Sequence, residues 1–256
     1  MYGTIIGDLA GSIYEYSQTK EIKSIYTDNI IQDNSFYSDD TILTIAILDA
    51  ILNDQDYDKY LRKYINDYKN YKPNFSPYFR SSFSPNLIKW SSTNSVGTSK
   101  GNGALMRISP VGYMFNKESE VISNARLATI PSHNSNEAID SATIVSLIIF
   151  YLRKGYTKKE IFDGMDIKVK YEPFTKFNTT CSQTLGNCLY AFYNSNSFED
   201  AIRKTLLMGG DTDTNSAIVG SLAEACYGIS DELINKVNEI IPDSFVKTLK
   251  LSKKYY

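Results

Sequence analysis

The chain opens MYGTIIGDLAGSIYE, residues 1–15, and within it Gly3, Gly7, Gly11 and Glu15 recur at every fourth position. On a helix, residues four apart stack along one face, so the glycines form a smooth stripe that ends at a carboxylate. Each glycine costs about 1 kcal/mol of helix propensity relative to alanine. Tight packing against another helix at the centre of the fold would offset that cost. Packing alone would also explain the stripe, with Glu15 left at its solvent edge.

Further along the chain the same period continues. Apolar positions recur at three and four residues in Thr41–Leu52, Ile139–Leu152, Ala201–Met208, Ala217–Tyr227 and Leu233–Ile241. No pair of alternating runs is joined by an Asn-Gly or Asp-Gly hairpin signal. The class read from this pattern is all-α. The longest polar connection runs from about Lys72 to Asn102 and holds Pro73, Pro77, Pro85 and the single tryptophan, Trp90. A connection of that length in a compact domain is usually functional or mobile.

The 256 residues suit one compact domain over 1–256, and 42% hydrophobic with 22% charged residues is an ordinary globular balance. A net charge of −2 supplies no basic field for a nucleic-acid backbone. The segment Met1–Tyr16 lacks a basic start and is interrupted by Asp8 and Glu15, which argues against a signal peptide or a membrane span. Cys181, Cys188 and Cys226 are odd in number and lack Cys-x-x-Cys spacing. They read as reduced, partly buried thiols of a cytoplasmic protein.

Two clusters pair carboxylates with hydroxyls at the start of a helical run: Tyr37-Ser38-Asp39-Asp40-Thr41 and Gly209-Gly210-Asp211-Thr212-Asp213-Thr214. Helix capping needs only one such residue. Two clusters of this composition read better as oxygen cages for a hard divalent ion. An EF-hand is excluded, because its sixth place holds Ser216 and its twelfth Leu222. Gly101-Asn102-Gly103-Ala104-Leu105-Met106-Arg107 could bring backbone N–H groups close to a phosphate. It lacks the third glycine of a dinucleotide fingerprint, and taken alone it reads better as a plain turn before a helix. His133, the sole histidine, cannot complete a histidine-rich metal site, and a ligand-contacting or structural role suits it better than general base.

Taken in order, Gly7-Asp8 with Gly11–Glu15, Ser38–Thr41, Gly101–Pro110, His133-Asn134, Gly209–Thr214 and Gly220–Gly228 resemble the ADP-ribosylglycohydrolase family, which includes dinitrogenase reductase-activating glycohydrolase. The resemblance implies a compact orthogonal helical bundle with a central cleft holding two magnesium ions. It implies that Ser38, Asp39, Asp40, Asp211, Asp213 and Thr214 hold the metals and that Glu15 is a catalytic acidic residue. Lys100, Gly101, Asn102, Gly103, Ala104, Leu105, Met106 and His133 match positions that contact ADP-ribose.

The expected activity is magnesium-dependent hydrolysis of the bond between ADP-ribose and a modified target, by a monomer. Glu15 and Asp40 would share proton transfer and water orientation, and Tyr78 or Trp90 would stack on adenine. The alternatives are a non-catalytic ADP-ribose-binding protein of the same fold and a dinuclear phosphohydrolase. Ser38 stands where many relatives have threonine, Ser135-Asn136 where they often have His-Pro, and Val96–Lys100 is atypical. The last two departures bear on the leaving group more than on the chemistry.

Overall fold

The computed structural model describes residues 1–15, 29–73, 81–173 and 177–255. Its helices are α1 (Tyr2–Ser12), α2 (Asp39–Leu52), α3 (Tyr57–Tyr68), α4 (Pro85–Ser91), α5 (Ser109–Met114), α6 (Glu118–Thr129) and α7 (Asn136–Arg153). Then come α8 (Lys158–Gly164), α9 (Cys181–Tyr193), α10 (Phe198–Met208), α11 (Thr212–Tyr227), α12 (Asp231–Ile240) and α13 (Asp243–Ser252). Among the described residues the only β pairing is two isolated bridges, Thr98 with His133 and Gly101 with Thr180. The fold is all-α, as the periodicity predicts.

The glycine stripe sets the centre. Every residue of α1 is buried. A Cβ built on Gly3, Gly7 or Gly11 would fall 2.1, 1.9 or 2.2 Å from the carbonyl oxygens of Gly220, Ser216 and Thr212 respectively. The two helices therefore run antiparallel, backbone against backbone, and the C-terminal end of α1 meets the N-terminal end of α11. Thr212 Oγ1 donates to Gly11 O at 2.8 Å at that end. At the other end Glu224 accepts from Gly3 N at 2.8 Å and pairs with the Met1 amine. Helix α11 also packs on α7, α9 and α10, which makes it the hub of the bundle. Helix α2 lies against α1, α3, α5 and α13.

Within the expected loop Lys72–Asn102 the structure has a helix, α4. Ser84 caps it by accepting from Leu87 N, and Pro85 occupies its first turn, where a missing N–H costs nothing. Arg62 holds the segment at the C-terminal end of α4, stacking on the Trp90 ring at 4.1 Å and donating to the carbonyls of Trp90, Thr93 and Ser95. Cys181 and Cys188 are buried, Cys226 is half-buried, and all three are free thiols. No described helix is long and apolar enough to cross a membrane.

Candidate functional site

The site begins with Asp8, on α1 between Gly7 and Gly11. Its Oδ2 accepts from Ser38 N (2.8 Å), Thr41 N (3.1 Å) and Thr41 Oγ1 (2.5 Å), and its Oδ1 accepts from Ser38 Oγ (2.8 Å). A carboxylate from another helix thus satisfies N–H groups at the start of α2, where such donors otherwise lack partners. Burial pushes the Asp8 carboxyl above its usual range, and these four donors pull it back. The sequence reading gave Asp8 no role. An acidic residue inside an apolar, glycine-striped helix was the available signal.

Helix α2 then presents Asp39 and Asp40, and α11 presents Asp211, Asp213 and Thr214. Asp8, Asp40 and Asp213 each bring a carboxylate oxygen within 4.8 Å of the others, and so do Glu15, Asp211 and Asp213. Asp213 belongs to both groups. Asp40 Oδ2 lies 3.1 Å from Ser38 Oγ and accepts from Thr214 Oγ1 (3.3 Å), whereas Asp40 Oδ1 is buried with no hydrogen-bond partner. Burial, reinforced by the neighbouring carboxylates, raises Asp40 and Asp213 well above the ordinary aspartate value and Asp39 to about 8.

Capping explains only part of this. Ser38 caps α2 through Asp40 N, but Asp211, which occupies the N-cap position of α11, makes no capping bond with its side chain. Gly209 and Gly210, with φ of 70° and 79°, turn the chain from α10 into α11 in a conformation that side-chain-bearing residues avoid. An all-oxygen set of buried carboxylates with one orphaned oxygen fits a hard divalent cation, which would supply the missing partner and lower each raised pKa.

The glycine loop forms the adjacent wall. Asn102–Ala104 make a single 3-10 turn, fastened to the start of α9 by Asn102 N to Thr179 O (2.8 Å) and Cys181 N to Lys100 O (3.2 Å). His133 lies over it: a Cβ on Gly103 would stand 3.3 Å from His133 Nε2. Arg107 is fully buried, donates from Nη2 to Ser132 Oγ (2.6 Å), and leaves Nη1 without a partner. Ser132 Oγ in turn lies 2.7 Å from His133 Nδ1. Burial, with the Arg107 charge adding to it, depresses His133 well below the usual histidine value. Burial likewise lowers Arg107 to about 10, against the attraction of Asp39.

These walls enclose a cleft of about 980 Å³, at the upper end of the range for small-molecule sites. Glu15, Asp39, Asp40, Gly101, Asn102, Gly103, Met106, His133, Asp211, Asp213 and Thr214 all line it. Four expected residues lie off the lining. Ser38 sits behind Asp40, Lys100 is exposed with its carbonyl turned to α9, and Ala104 and Leu105 are buried in the core. Trp90 lines the cleft but is 8% exposed, with Arg62 over its ring. Tyr78 lies outside the described residues. Phe177, which the sequence reading passed over, is the half-exposed aromatic on the rim.

Comparison with known proteins agrees with this architecture. A family model described as ADP-ribosylglycohydrolase matches residues 1–253. An ADP-ribosylarginine hydrolase of Pseudomonas putida is 28% identical over 146 residues, which are 51% of this chain and 39% of that protein. An ADP-ribosylhydrolase of Homo sapiens is 20% identical over 308 residues, covering 89% of this chain and 84% of that one. A solved chain from an ADP-ribosylglycohydrolase-related protein complex superposes with a TM-score of 0.71 at 21% identity, over 99% of this chain and 91% of its own. The match to the Pseudomonas putida protein thus spans well under half of that protein's length.

Proposed function

Because the chain belongs to the ADP-ribosylglycohydrolase family, we propose that it hydrolyses the glycosidic bond joining ADP-ribose to a modified target, with magnesium in the acidic cleft. One observation carries the reading. The unpartnered Asp40 Oδ1 lies among carboxylates from three separated parts of the chain, on the wall of a cleft roomy enough for a dinucleotide-sized ligand.

Asp39, Asp40, Asp211, Asp213 and Thr214 would hold two magnesium ions, with Ser38 supporting Asp40 from behind. Bound magnesium supplies compensating charge and a template for the hydroxyls of the distal ribose. Asp8 keeps the start of α2 facing that position. Gly101 and Gly103 let the sugar-phosphate approach the loop backbone, where a side chain would intervene.

His133 acts as a donor. Arg107 can only donate, so Ser132 Oγ accepts from it and turns its own hydrogen to His133 Nδ1. A neutral imidazole then carries its hydrogen on Nε2, beside Gly103, ready for a ribose or phosphate oxygen. Glu15 stands against Asp213, whose ionisation its charge opposes. In the reaction Glu15 takes a proton from the attacking water as the new bond to the anomeric carbon forms. The bond to the target breaks through an oxocarbenium-like state, and Glu15 passes the proton it has taken to the departing target. Asp40 orients the water.

The test is incubation of purified protein with ADP-ribosylated arginine, ADP-ribosylated serine and O-acetyl-ADP-ribose, with magnesium or with chelator. Release of free ADP-ribose in magnesium only, and its loss in Asp40→Asn, is the expected result. AMP as the product would mean pyrophosphate cleavage, and binding without any product would mean a reader.

A further inference from the structure

Asn102 falls in the middle of the loop whose residues the family resemblance assigns to ligand contact, yet its side chain is engaged elsewhere. It is 6% exposed. Its amide nitrogen donates to Asp211 Oδ2 at 2.6 Å and to Thr184 Oγ1, on α9, at 3.3 Å. An amide has two hydrogens, and both are committed. The backbone is equally fixed: the N–H donates to Thr179 O, and the carbonyl accepts from Leu105 N (2.8 Å) and Met106 N (3.2 Å).

Asp211 is the residue whose orientation most needs an explanation. It holds the N-cap position of α11 without using its side chain as a cap. Its carboxylate contributes to the group with Glu15 and Asp213. A bond from a neutral amide to an ionised carboxylate is short and directional, and fixing Oδ2 fixes the rotation of the whole carboxylate. The next anchor is rigid too, because Thr184 sits in α9 and the loop is fastened to the start of the same helix.

We propose that Asn102 is a positioning residue, whose side-chain amide orients Asp211 for a divalent cation and does not itself bind the sugar-phosphate. The inference rests on the metal-site reading above. Residues that orient a metal ligand typically contribute 10–100-fold to metal affinity. Removing the amide therefore weakens cation binding before any substrate is present. A role confined to substrate contact predicts the opposite pattern.

The experiment measures Mn2+ affinity by calorimetry, without nucleotide, for the wild type and Asn102→Ala, with circular dichroism and melting curves as the folding control. ADP-ribose affinity is measured separately in chelator. The expected result is Mn2+ binding weakened about 10–100-fold, with chelator-state ADP-ribose affinity within about twofold of wild type. Should Asn102→Ala fail to fold, Asn102→Ser, whose hydroxyl is too short to reach Asp211, carries the same expectation. Unchanged Mn2+ affinity in a folded variant overturns the proposal, as does weakened ADP-ribose binding with Mn2+ affinity intact. If the wild type binds no Mn2+, the metal-site reading falls and this inference with it. Equal binding by wild type and variant removes this inference alone.

Discussion

Replacing Gly7 by alanine adds one methyl group at the most crowded point between α1 and α11. The new Cβ would stand 1.9 Å from Ser216 O, 2.2 Å from Ser216 C and 2.5 Å from Ala217 N, all backbone atoms. A carbon approaches a carbonyl oxygen no closer than about 3.3 Å, so α1 must retreat by roughly 1.4 Å. It cannot do so alone, because Gly3 and Gly11 sit equally close to α11 and every residue of α1 is buried. The retreat would break the 2.8 Å bond from Thr212 to Gly11 and carry Asp8 away from Ser38 and Thr41. Overpacking costs about 1–3 kcal/mol or more, and the glycine-to-alanine gain in helix propensity returns only about 1 kcal/mol.

With a cost at or above the upper end of that range, the net loss is about 2 kcal/mol. For a chain of this size that lowers Tm by about 4–8 °C. Gly186, inside α9, is the control: a Cβ there meets nothing within 4 Å. Gly186→Ala gains about 0.5–1 kcal/mol and melts a few degrees higher. Differential scanning calorimetry of both variants in chelator is the assay. Because displacement of about 1 Å can cost about 10²-fold in rate, Gly7→Ala also loses turnover while Gly186→Ala keeps it. A Gly7→Ala protein that melts at or above the wild type would refute the packing argument.

The site itself leads to three more expected outcomes. Without metal, the folded protein keeps protons on Asp39, Asp40 and Asp213 that the unfolded chain releases near the usual aspartate value, so these groups cost stability as pH rises from about 4 to about 8 and beyond. The rise in Tm on adding magnesium should therefore grow from pH 5 to pH 8. At a hundredfold excess over Kd it corresponds to about 2.7 kcal/mol, and an increment that shrinks with pH would contradict the burial of these charges. Asp8→Asn turns an N–H toward donors that now meet an oxygen, which should cost about 1–3 kcal/mol in urea unfolding; wild-type stability would mean that Asp8 does not hold the start of α2. His133→Ala removes a donor, so KM should rise about tenfold, the equivalent of roughly 1.4 kcal/mol, with kcat within about threefold. A collapse of kcat at constant KM would make His133 the base instead.

Much of this was legible in the chain itself. The four-residue glycine period fixes which face of α1 meets another helix, and nothing but backbone contact repays three glycines in eleven residues. The acidic starts of α2 and α11 were readable because carboxylate and hydroxyl cluster there beyond what capping needs. The boundaries moved outward by a few residues: the apolar run Thr41–Leu52 became Asp39–Leu52, and Ile139–Leu152 became Asn136–Arg153. Caps and polar first turns carry no apolar period, so that shift is expected. Helix α4 was missed although Ser84-Pro85 is a helix-start signal, because the serines and prolines around it read as loop.

Pairing between distant positions stayed hidden. Nothing local says that Asp8 faces Ser38, that Asn102 faces Asp211, or that Arg107 reaches His133 through Ser132. Those contacts join residues between 25 and 109 positions apart. All of these residues except Ser132 were quoted in the motifs, but their roles depend on which helices meet.

The most direct test of the shared cation site is anomalous diffraction from crystals soaked in manganese. The account predicts peaks within coordination distance of Asp40 and Asp213, with Asp40 Oδ1 as a ligand and Asp211 completing the group beside Glu15. Crystals that hold manganese elsewhere, with Asp40 and Asp213 turned to other hydrogen-bond partners and no peak between α2 and α11, would contradict it.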